Sequence, residues 1–181
     1  MTGYSVLMPF VTTENGDALL LEVRSDSVKQ PGEICFPGGR IEPGETPAET
    51  AVRETCEELG LQAGDISIEG DPVPEVMADG RKVWSVQGRL NEACLERMKV
   101  SGAEVAEVFL LPVSWLRDNP PAHYDLGKTE EQELPAILRK YLSGYEAFRK
   151  TGDTFYWEYE GHGIWGLTAR IIRRRIPGSE E

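Results

Sequence analysis

Residues 39–61 read GRIEPGETPAETAVRETCEELGL, and this stretch decides how the surrounding chain folds. Residues 46–49 have the sequence pattern of a helix N-terminus. Thr46 is placed as the N-cap, Pro47 takes the first helical position, and Glu49 closes a capping box with Thr46. Gly60 is placed to stop the helix. We therefore predict one helix that begins after Thr46 and ends at Gly60.

Three glutamates of this predicted helix share one face. At about 100° per residue, Glu54, Glu57 and Glu58 fall within an arc about 100° wide. We expect the opposite arc to be the apolar, buried one, and its members are Ala48, Val52, Thr55, Cys56 and Leu59. Carboxylates at these spacings repel one another, and a divalent cation with oxygen ligands relieves that repulsion. A solvated acidic face is the alternative that spacing alone leaves open.

Composition and charge are typical of a globular protein that does not bind nucleic acid polymers or membranes. The 181 residues are 40% hydrophobic and 28% charged, which is typical of one globular domain, expected here to span residues 1–181. The formal net charge of -12 disfavours a nucleic acid polymer or an anionic membrane as partner. Three cysteines without a C-x-x-C pair suit a reducing compartment, so we expect a cytoplasmic location. We find neither an export signal nor a membrane-spanning run.

The rest of the chain alternates strand-like and helix-like segments. Apolar runs at 4–11 and 18–23 flank Asn15-Gly16, a pattern that predicts an opening β-hairpin. The remaining predictions are strands at 34–36, 66–68, 83–90, 105–111 and 155–159, helices at 92–99, 130–149 and 166–175, and a loop at 119–126. This alternation places the fold in the α/β (α+β) class.

The stretch from 39 to 61 resembles the Nudix box, G-x5-E-x7-R-E-U-x-E-E-x-G-U, where U is a bulky aliphatic residue. Its fixed positions are filled in order by Gly39, Glu45, Arg53, Glu54, Glu57, Glu58, Gly60 and Leu61. Thr55 stands at the first U position and is nearly isosteric with valine. The resemblance implies a Nudix-type α/β/α sandwich with a mixed β-sheet, and a diphosphatase that acts on nucleoside diphosphates linked to another moiety.

The resemblance also implies a divalent cation, Mg²⁺ or Mn²⁺, and assigns its ligands. These would be the carboxylates of Glu54, Glu57 and Glu58, with the carbonyl of Gly39 as a further ligand. Arg53 would orient the carboxylates through charge-assisted hydrogen bonds.

Other box positions have supporting or alternative roles in this resemblance. Glu45 would brace the junction between loop and helix, and Gly60 would be structural. The general base varies within the family, often being a box glutamate or one on a later loop. Glu58 or Glu54 is the first candidate here. Glu104 and Glu107 are the later ones, although for each of them the pattern favours an exposed charge on an edge strand.

Upstream of the box, residues 20–39 resemble the coenzyme A pyrophosphatase signature, L-L-T-x-R-[SA]-x3-R-x3-G-x3-F-P-G-G. Lys29 replaces the second arginine of that pattern, and Gly32 follows it one residue early. Residues 164–171 are similar to the terminal helix of that subfamily. The resemblance implies hydrolysis of coenzyme A or acyl-coenzyme A to 3′,5′-ADP and (acyl-)4′-phosphopantetheine. Arg24 and Lys29 would bind a substrate phosphate.

Two other functions stay open at this point. One is a Nudix hydrolase that acts on another nucleoside diphosphate derivative, such as ADP-ribose, NADH or a nucleoside triphosphate. The other is a catalytically silent Nudix-like module that binds a nucleotide. In each case we expect a small-molecule nucleotide partner, no nucleic acid polymer, no membrane, and a monomer or homodimer.

Overall fold

A computed structural model describes residues 3–77, 80–143 and 152–178 of the chain. The chain divides into two compact units, Met1–Ser114 and Trp115–Glu181. Each unit contains a β-sheet of its own. The expectation of a single domain over residues 1–181 stays a prediction.

The described residues of the first unit form an eight-stranded mixed sheet. Its strands are β1 (Tyr4–Thr13), β2 (Gly16–Arg24), β3 (Ile34–Cys35), β4 (Gly38–Arg40), β5 (Ile66–Ile68), β6 (Val73–Val76), β7 (Lys82–Leu90) and β8 (Val105–Pro112). The main path runs β3-β2-β1-β7-β5, while β4 pairs with β1, β6 with β7 and β8 with β2. The β1–β7 pair is parallel and the others are antiparallel.

Most strand predictions for this unit are confirmed. The β1–β2 hairpin closes with Thr13 opposite Gly16, as the Asn15-Gly16 turn predicts. The predicted strands at 34–36, 66–68, 83–90 and 105–111 correspond to β3, β5, β7 and β8. The sequence analysis did not predict β4 or β6. The helix predicted at 92–99 is a 3₁₀ helix over Glu92–Arg97, with Asn91 as its N-cap.

Helix α1 (Pro47–Leu59) forms where its caps predict it. The Thr46 hydroxyl accepts a hydrogen bond from the Glu49 amide at 3.3 Å, and the Glu49 carboxylate accepts one from the Thr46 amide at 2.8 Å. Gly60 ends the helix at φ 66°, and its amide donates to the Cys56 carbonyl. Both ends of α1 therefore depend on residues within or next to the helix. With the mixed sheet, α1 confirms the predicted α/β (α+β) class.

The buried face of α1 is rotated from the predicted one. Its buried residues are Pro47, Thr50, Ala51, Thr55, Glu58 and Leu59. The prediction that Glu58 lies opposite the buried face is wrong, because β1 and β4 both pack against the side that carries Ala51 and Glu58. Ala48, Val52 and Cys56 are half-buried and line an open groove of about 520 Å³.

An apolar core fixes α1 on the sheet. Leu7, Leu20, Ala51, Leu59 and Val86 are at most 1% exposed and belong to one cluster. Burying a leucine or valine side chain contributes roughly 1.5–3 kcal/mol to the free energy of unfolding. The Ser5 hydroxyl adds a polar anchor, since it donates to the Pro47 carbonyl at 2.6 Å. The first turn of α1 is thereby fixed to β1.

The second unit contains a three-stranded antiparallel sheet in the order β11-β10-β9. Its elements are β9 (Ala122–Asp125), α3 (Ala136–Leu142), β10 (Asp153–Tyr159), β11 (His162–Trp165) and α4 (Gly166–Arg175), and the boundary between the units falls within α2 (Val113–Asp118). The predicted strand at 155–159 and the terminal helix at 166–175 are confirmed. No helix in residues 3–77, 80–143 and 152–178 is long and apolar enough to cross a membrane.

Two predictions for the second unit need correction. The loop predicted at 119–126 contains strand β9, because Pro120 and Pro121 precede the paired residues and leave the ladder with β10 intact. The helix predicted at 130–149 is a 3₁₀ turn over Glu131–Glu133 followed by α3. Pro135 separates the two, since a proline lacks the amide that a continuous helix needs. Residues 144–149 of that prediction lie outside the described residues.

Gly60→Ala is expected to lower the free energy of unfolding by about 2–5 kcal/mol. The left-handed backbone costs a non-glycine residue roughly 1–2 kcal/mol, and overpacking adds about 1–3 kcal/mol. The added Cβ would lie 2.6 Å from the backbone carbonyl oxygen of Lys99. Urea denaturation followed by circular dichroism measures the loss. Gly64→Ala is the control, because its Cβ meets nothing within 4 Å. Equal stability of the two variants would contradict the prediction.

Candidate active site

Arg53 joins three carboxylates on the exposed side of α1. Its Nε donates to Glu45 Oε1 at 2.7 Å, and its Nη1 donates to Glu54 Oε1 at 3.0 Å and to Glu57 Oε2 at 3.4 Å. Its Nη2 donates to Glu45 Oε2 at 3.1 Å and to the Arg40 carbonyl at 3.2 Å. One planar guanidinium therefore links the loop before α1 to two of the helix glutamates. These contacts raise the Arg53 pKa, so the guanidinium stays charged.

Glu45 holds the loop against the start of α1. Besides its two bonds from Arg53, its Oε2 accepts the Thr50 hydroxyl at 2.6 Å and the Glu42 amide at 3.0 Å. The hydrogen bonds from Arg53, then those from Thr50 and Glu42, lower the Glu45 pKa to about 2. Glu45 thus occupies the junction at which the sequence analysis placed it, as a permanently ionised brace.

Glu58 is buried between α1 and strand β4. It is 7% exposed, and its Oε2 accepts the Gly38 amide at 2.8 Å. Burial raises the Glu58 pKa to about 7, the Gly38 amide opposes this shift, and the charges of Glu54 and Glu104 add to it. Glu58 is therefore able to gain or lose a proton near neutral pH.

Glu54 packs directly against the backbone of Gly39. A Cβ on Gly39 would overlap the Glu54 carboxylate, so this close approach requires glycine. The Glu54 side chain is 17% exposed, and burial raises its pKa despite the contact with Arg53. Glu57, in contrast, is 60% exposed. The three helix glutamates therefore differ in exposure: Glu57 is in solvent, Glu54 is partly buried and Glu58 is buried.

The donors at this place suit a hard divalent cation. They are carboxylate oxygens, the groups that Mg²⁺ and Mn²⁺ prefer, and the Gly39 carbonyl stays a predicted further ligand. Within residues 3–77, 80–143 and 152–178, no three His, Cys, Asp or Glu side chains already converge as metal ligands do. In this arrangement Arg53 supplies the positive charge beside Glu54 and Glu57. The residues fit a cation in chemistry, and the cation itself stays a prediction.

Arg24 is the last residue of β2, and Lys29 lies on the segment that leads from β2 to β3. Arg24 points back into this segment, since its Nε donates to the Lys29 carbonyl at 2.8 Å and its Nη1 lies 3.9 Å from Cys35 Sγ. The Arg24 amide also bonds the Glu33 carbonyl at 3.0 Å. Lys29 is exposed. Arg24 therefore shapes the segment, while Lys29 presents its ammonium group to solvent.

Sequence reasoning missed a buried acid beside this segment. Glu22, near the end of β2, is 1% exposed. Its pKa is raised well above the usual value by burial first and by the charge of Glu58 second. An acidic residue inside the run Leu20-Leu21-Glu22-Val23 was the available signal. Glu22 also stands where the coenzyme A signature has threonine, a departure that the sequence analysis did not register.

Of Glu104 and Glu107, Glu104 has the stronger electrostatic effect on the carboxylates of the site. Its charge raises the pKa of Glu54, of Glu58 and of Glu22. Its carbonyl accepts the Ser25 amide at 2.9 Å, which places it at the start of β8. Glu107 is exposed and pairs with Val23 across the β2–β8 ladder. The role of either residue as general base stays a prediction.

Comparison with known proteins identifies the family. A model described as the NUDIX domain matches residues 1–130 of this chain. The chain belongs to the Nudix family. The match covers all of the carboxylate site, including Glu45, Arg53 and the three helix glutamates.

Several Nudix proteins are similar to this chain over most of its length. Nudix hydrolase 3 of Caenorhabditis elegans is 43% identical over 175 residues, 95% of this chain and 71% of that protein. Peroxisomal coenzyme A diphosphatase NUDT7 of Mus musculus is 35% identical over 123 residues, 67% of this chain and 51% of that protein. Mitochondrial coenzyme A diphosphatase NUDT8 of Homo sapiens is 30% identical over 170 residues, 92% of this chain and 65% of that protein. These relatives and the family match identify this Nudix protein as a diphosphatase.

Solved structures support the fold. A Nudix hydrolase from M. smegmatis, RenU, has a TM-score of 0.54 at 24% identity and covers 64% of this chain and 73% of its own. An Ap4A hydrolase of C. elegans in a binary complex has a TM-score of 0.53 at 18% identity and covers 80% of this chain and 96% of its own. At these identities the likeness concerns the Nudix fold alone.

In the presence of a chelator, the free energy of unfolding is expected to fall as pH rises from about 4.5 to about 7. The folded-state pKa of Glu58 is raised from 4.5 to about 7, so the folded protein binds a proton that the unfolded chain releases. The stability that Glu58 contributes is complete below pH 4.5 and is lost as pH rises through 7. Urea denaturation at several pH values measures this slope.

Glu58→Gln is the variant that tests the assignment of this slope. It removes one titrating group, so it flattens the slope without abolishing it, because burial shifts the pKa of Glu22 and of Glu54 in the same direction. A slope identical to that of the unmodified protein would contradict the assignment to Glu58.

Proposed function

We propose that this Nudix protein hydrolyses the diphosphate bond of coenzyme A or an acyl-coenzyme A. The products are 3′,5′-ADP and 4′-phosphopantetheine or its acyl form. One observation carries the proposal. Arg24 ends β2 and Lys29 follows on the segment that leads through β3 to the Gly38-Gly39 backbone, on which Glu54 and Glu58 pack. Relatives named coenzyme A diphosphatases support the substrate class.

Mg²⁺ or Mn²⁺ is the proposed cofactor. Glu54, Glu57, Glu58 and the Gly39 carbonyl would hold it, because they are hard oxygen donors on α1 and on the adjacent strand β4. A bound divalent cation neutralises diphosphate oxygens and lowers the pKa of water. The fit rests on the donor set and on the missing Cβ of Gly39, which lets the Glu54 carboxylate reach the loop backbone.

The protein's own groups would position and move charge in the reaction. Arg53 keeps Glu54 and Glu57 oriented and remains cationic throughout. Glu58 is the first candidate for the general base, because its buried carboxylate lies beside the Gly38 amide within the proposed site. Glu54 is the second candidate, since burial raises its pKa.

Substrate recognition would use the two cations ahead of the box. Coenzyme A carries a 3′-phosphate, and a charge-assisted contact to a phosphate is worth about 1.5–3 kcal/mol. Lys29 is exposed and free to reach such a group from the rim. Arg24 would contact phosphate from within the segment that it holds together. We propose both residues as substrate-binding, with Lys29 giving the cleaner test.

The setting of the reaction is also a proposal. Cysteine usage favours the cytoplasm, whereas the names of two relatives place those proteins in the peroxisome and the mitochondrion. We propose a cytoplasmic enzyme that acts as a monomer or homodimer. Fractionation of cells that express the full-length protein would locate it directly.

With Mg²⁺ or Mn²⁺ present, the purified protein is expected to turn over coenzyme A or an acyl-coenzyme A faster than ADP-ribose, NADH or nucleoside triphosphates. Chromatography resolves 3′,5′-ADP from the substrate. Chelation is expected to abolish turnover and leave the circular dichroism spectrum unchanged, because the apolar core of the first unit includes no proposed cation ligand. Faster turnover of ADP-ribose would transfer the proposal to another Nudix substrate.

Glu58→Gln gives the matched variant for this assay. It is expected to lower kcat by about a hundredfold or more, as the loss of a metal ligand or general base does. Glu96→Gln is the control, because Glu96 is an exposed glutamate on the 3₁₀ helix Glu92–Arg97. Activity in folded Glu58→Gln equal to that of the control would remove this carboxylate from the mechanism.

Lys29→Ala is expected to lower kcat/KM for coenzyme A about tenfold to hundredfold, the equivalent of one charge-assisted contact. For 3′-dephospho-coenzyme A, which lacks the contacted phosphate, we expect a change of about twofold or less. Lys82→Ala, at an exposed lysine on β7, is the control. Equal losses on both substrates would contradict a contact between Lys29 and the 3′-phosphate.

A further inference from the structure

Glu22 is a buried acid on the side of the sheet that faces α1. Side chains two residues apart on a strand point to the same face. Leu20 packs in one cluster with Ala51 and Leu59 of α1, so Glu22 lies on this face, one step further along β2. Its ladder partner Val108 packs against the same cluster. The Glu22 carboxyl therefore lies where the apolar core gives way to the carboxylate site.

The carboxyl of Glu22 is incompletely satisfied. Its Oε2 lies 4.0 Å from Cys35 Sγ, a weak donor across the β2–β3 ladder. Its Oε1 is buried and has no hydrogen-bond partner in the part of the chain that the structure describes. Buried carboxyl oxygens are normally paired with a donor or a cation. The interior therefore contains one hard oxygen ligand that no described protein group satisfies.

The charges around Glu22 point to a cation as that partner. Glu58 and Glu104 act on it as negative charges, and Arg24 acts as the positive one. The Arg24 guanidinium is engaged with the Lys29 carbonyl and with Cys35 Sγ. A divalent cation takes six or more oxygen ligands, and α1 supplies its carboxylates from one side only.

We propose that Glu22 is a further carboxylate of the divalent-cation site, contributed by strand β2 opposite the glutamates of α1. This inference rests on the proposed function, because it takes the metal dependence of the enzyme as given. Glu22 acts either as a direct ligand or through a coordinated water, and both arrangements draw on its unsatisfied oxygen. A purely structural role, through the contact with Cys35, would leave cation affinity unchanged.

The test is the affinity of the full-length protein for Mn²⁺, measured by electron paramagnetic resonance of the free ion without substrate. Glu22→Gln keeps the shape of the side chain and is expected to weaken Mn²⁺ binding about tenfold to hundredfold. Glu22→Thr is also expected to weaken Mn²⁺ binding, because threonine suits a strand but its side chain is too short to reach the cation. Glu75→Gln is the control, because Glu75 is also a buried glutamate, 4% exposed, but lies on β6.

Melting in the presence of a chelator separates folding from binding. Affinity is compared only at temperatures where each variant is folded, and Glu22→Thr replaces Glu22→Gln if the latter does not fold. A folded Glu22 variant with the Mn²⁺ affinity of Glu75→Gln would overturn the assignment of Glu22. If the unmodified protein binds Mn²⁺ no better than Glu58→Gln, the cation site of the proposed function fails instead.

Discussion

The geometry of the carboxylate site depends on the hydrogen bonds that the Arg53 guanidinium donates. This guanidinium is bonded to Glu45 by two nitrogens, to Glu54 and Glu57 by a third, and to the Arg40 carbonyl. These partners belong to the loop and to the helix, so one planar cation fixes their relative positions. A lysine could neutralise the charge but could not reproduce the forked geometry. The spacing between Glu45 and Arg53 is therefore a geometric requirement as well as a sequence pattern.

The site also combines a helix and a sheet that contribute in different ways. Helix α1 brings its glutamates as a set, because their spacing follows from helical geometry. The sheet brings the Gly38 amide, which bonds Glu58, and the buried carboxyl of Glu22. The helix thus provides three of the acidic groups at a fixed spacing, and burial against the sheet raises the pKa of Glu58.

The parts of the fold that the sequence predicts well are those with local causes. Thr46, Glu49 and Gly60 set the ends of α1 by contacts within a few residues, and the box spacing brings Glu45 to Arg53. The rotation of α1 was not predictable, because β1, which is distant in the chain, packs together with β4 against the side that carries Ala51 and Glu58. Strand β9 was missed for the same reason, since its pairing with β10 is long-range.

Cys35 has a chemical consequence for the neighbourhood of Glu22 and Arg24. Burial raises the pKa of the Cys35 thiol to about 12, and the charge of Glu22 adds to this effect. At neutral pH Cys35 is then mostly the thiol, whereas the thiolate is the form that attacks disulfides and electrophiles. Cys35 is consequently slow in thiol–disulfide exchange and towards alkylating reagents. A small-molecule disulfide that reaches this neighbourhood would therefore exchange only slowly with the Cys35 thiol.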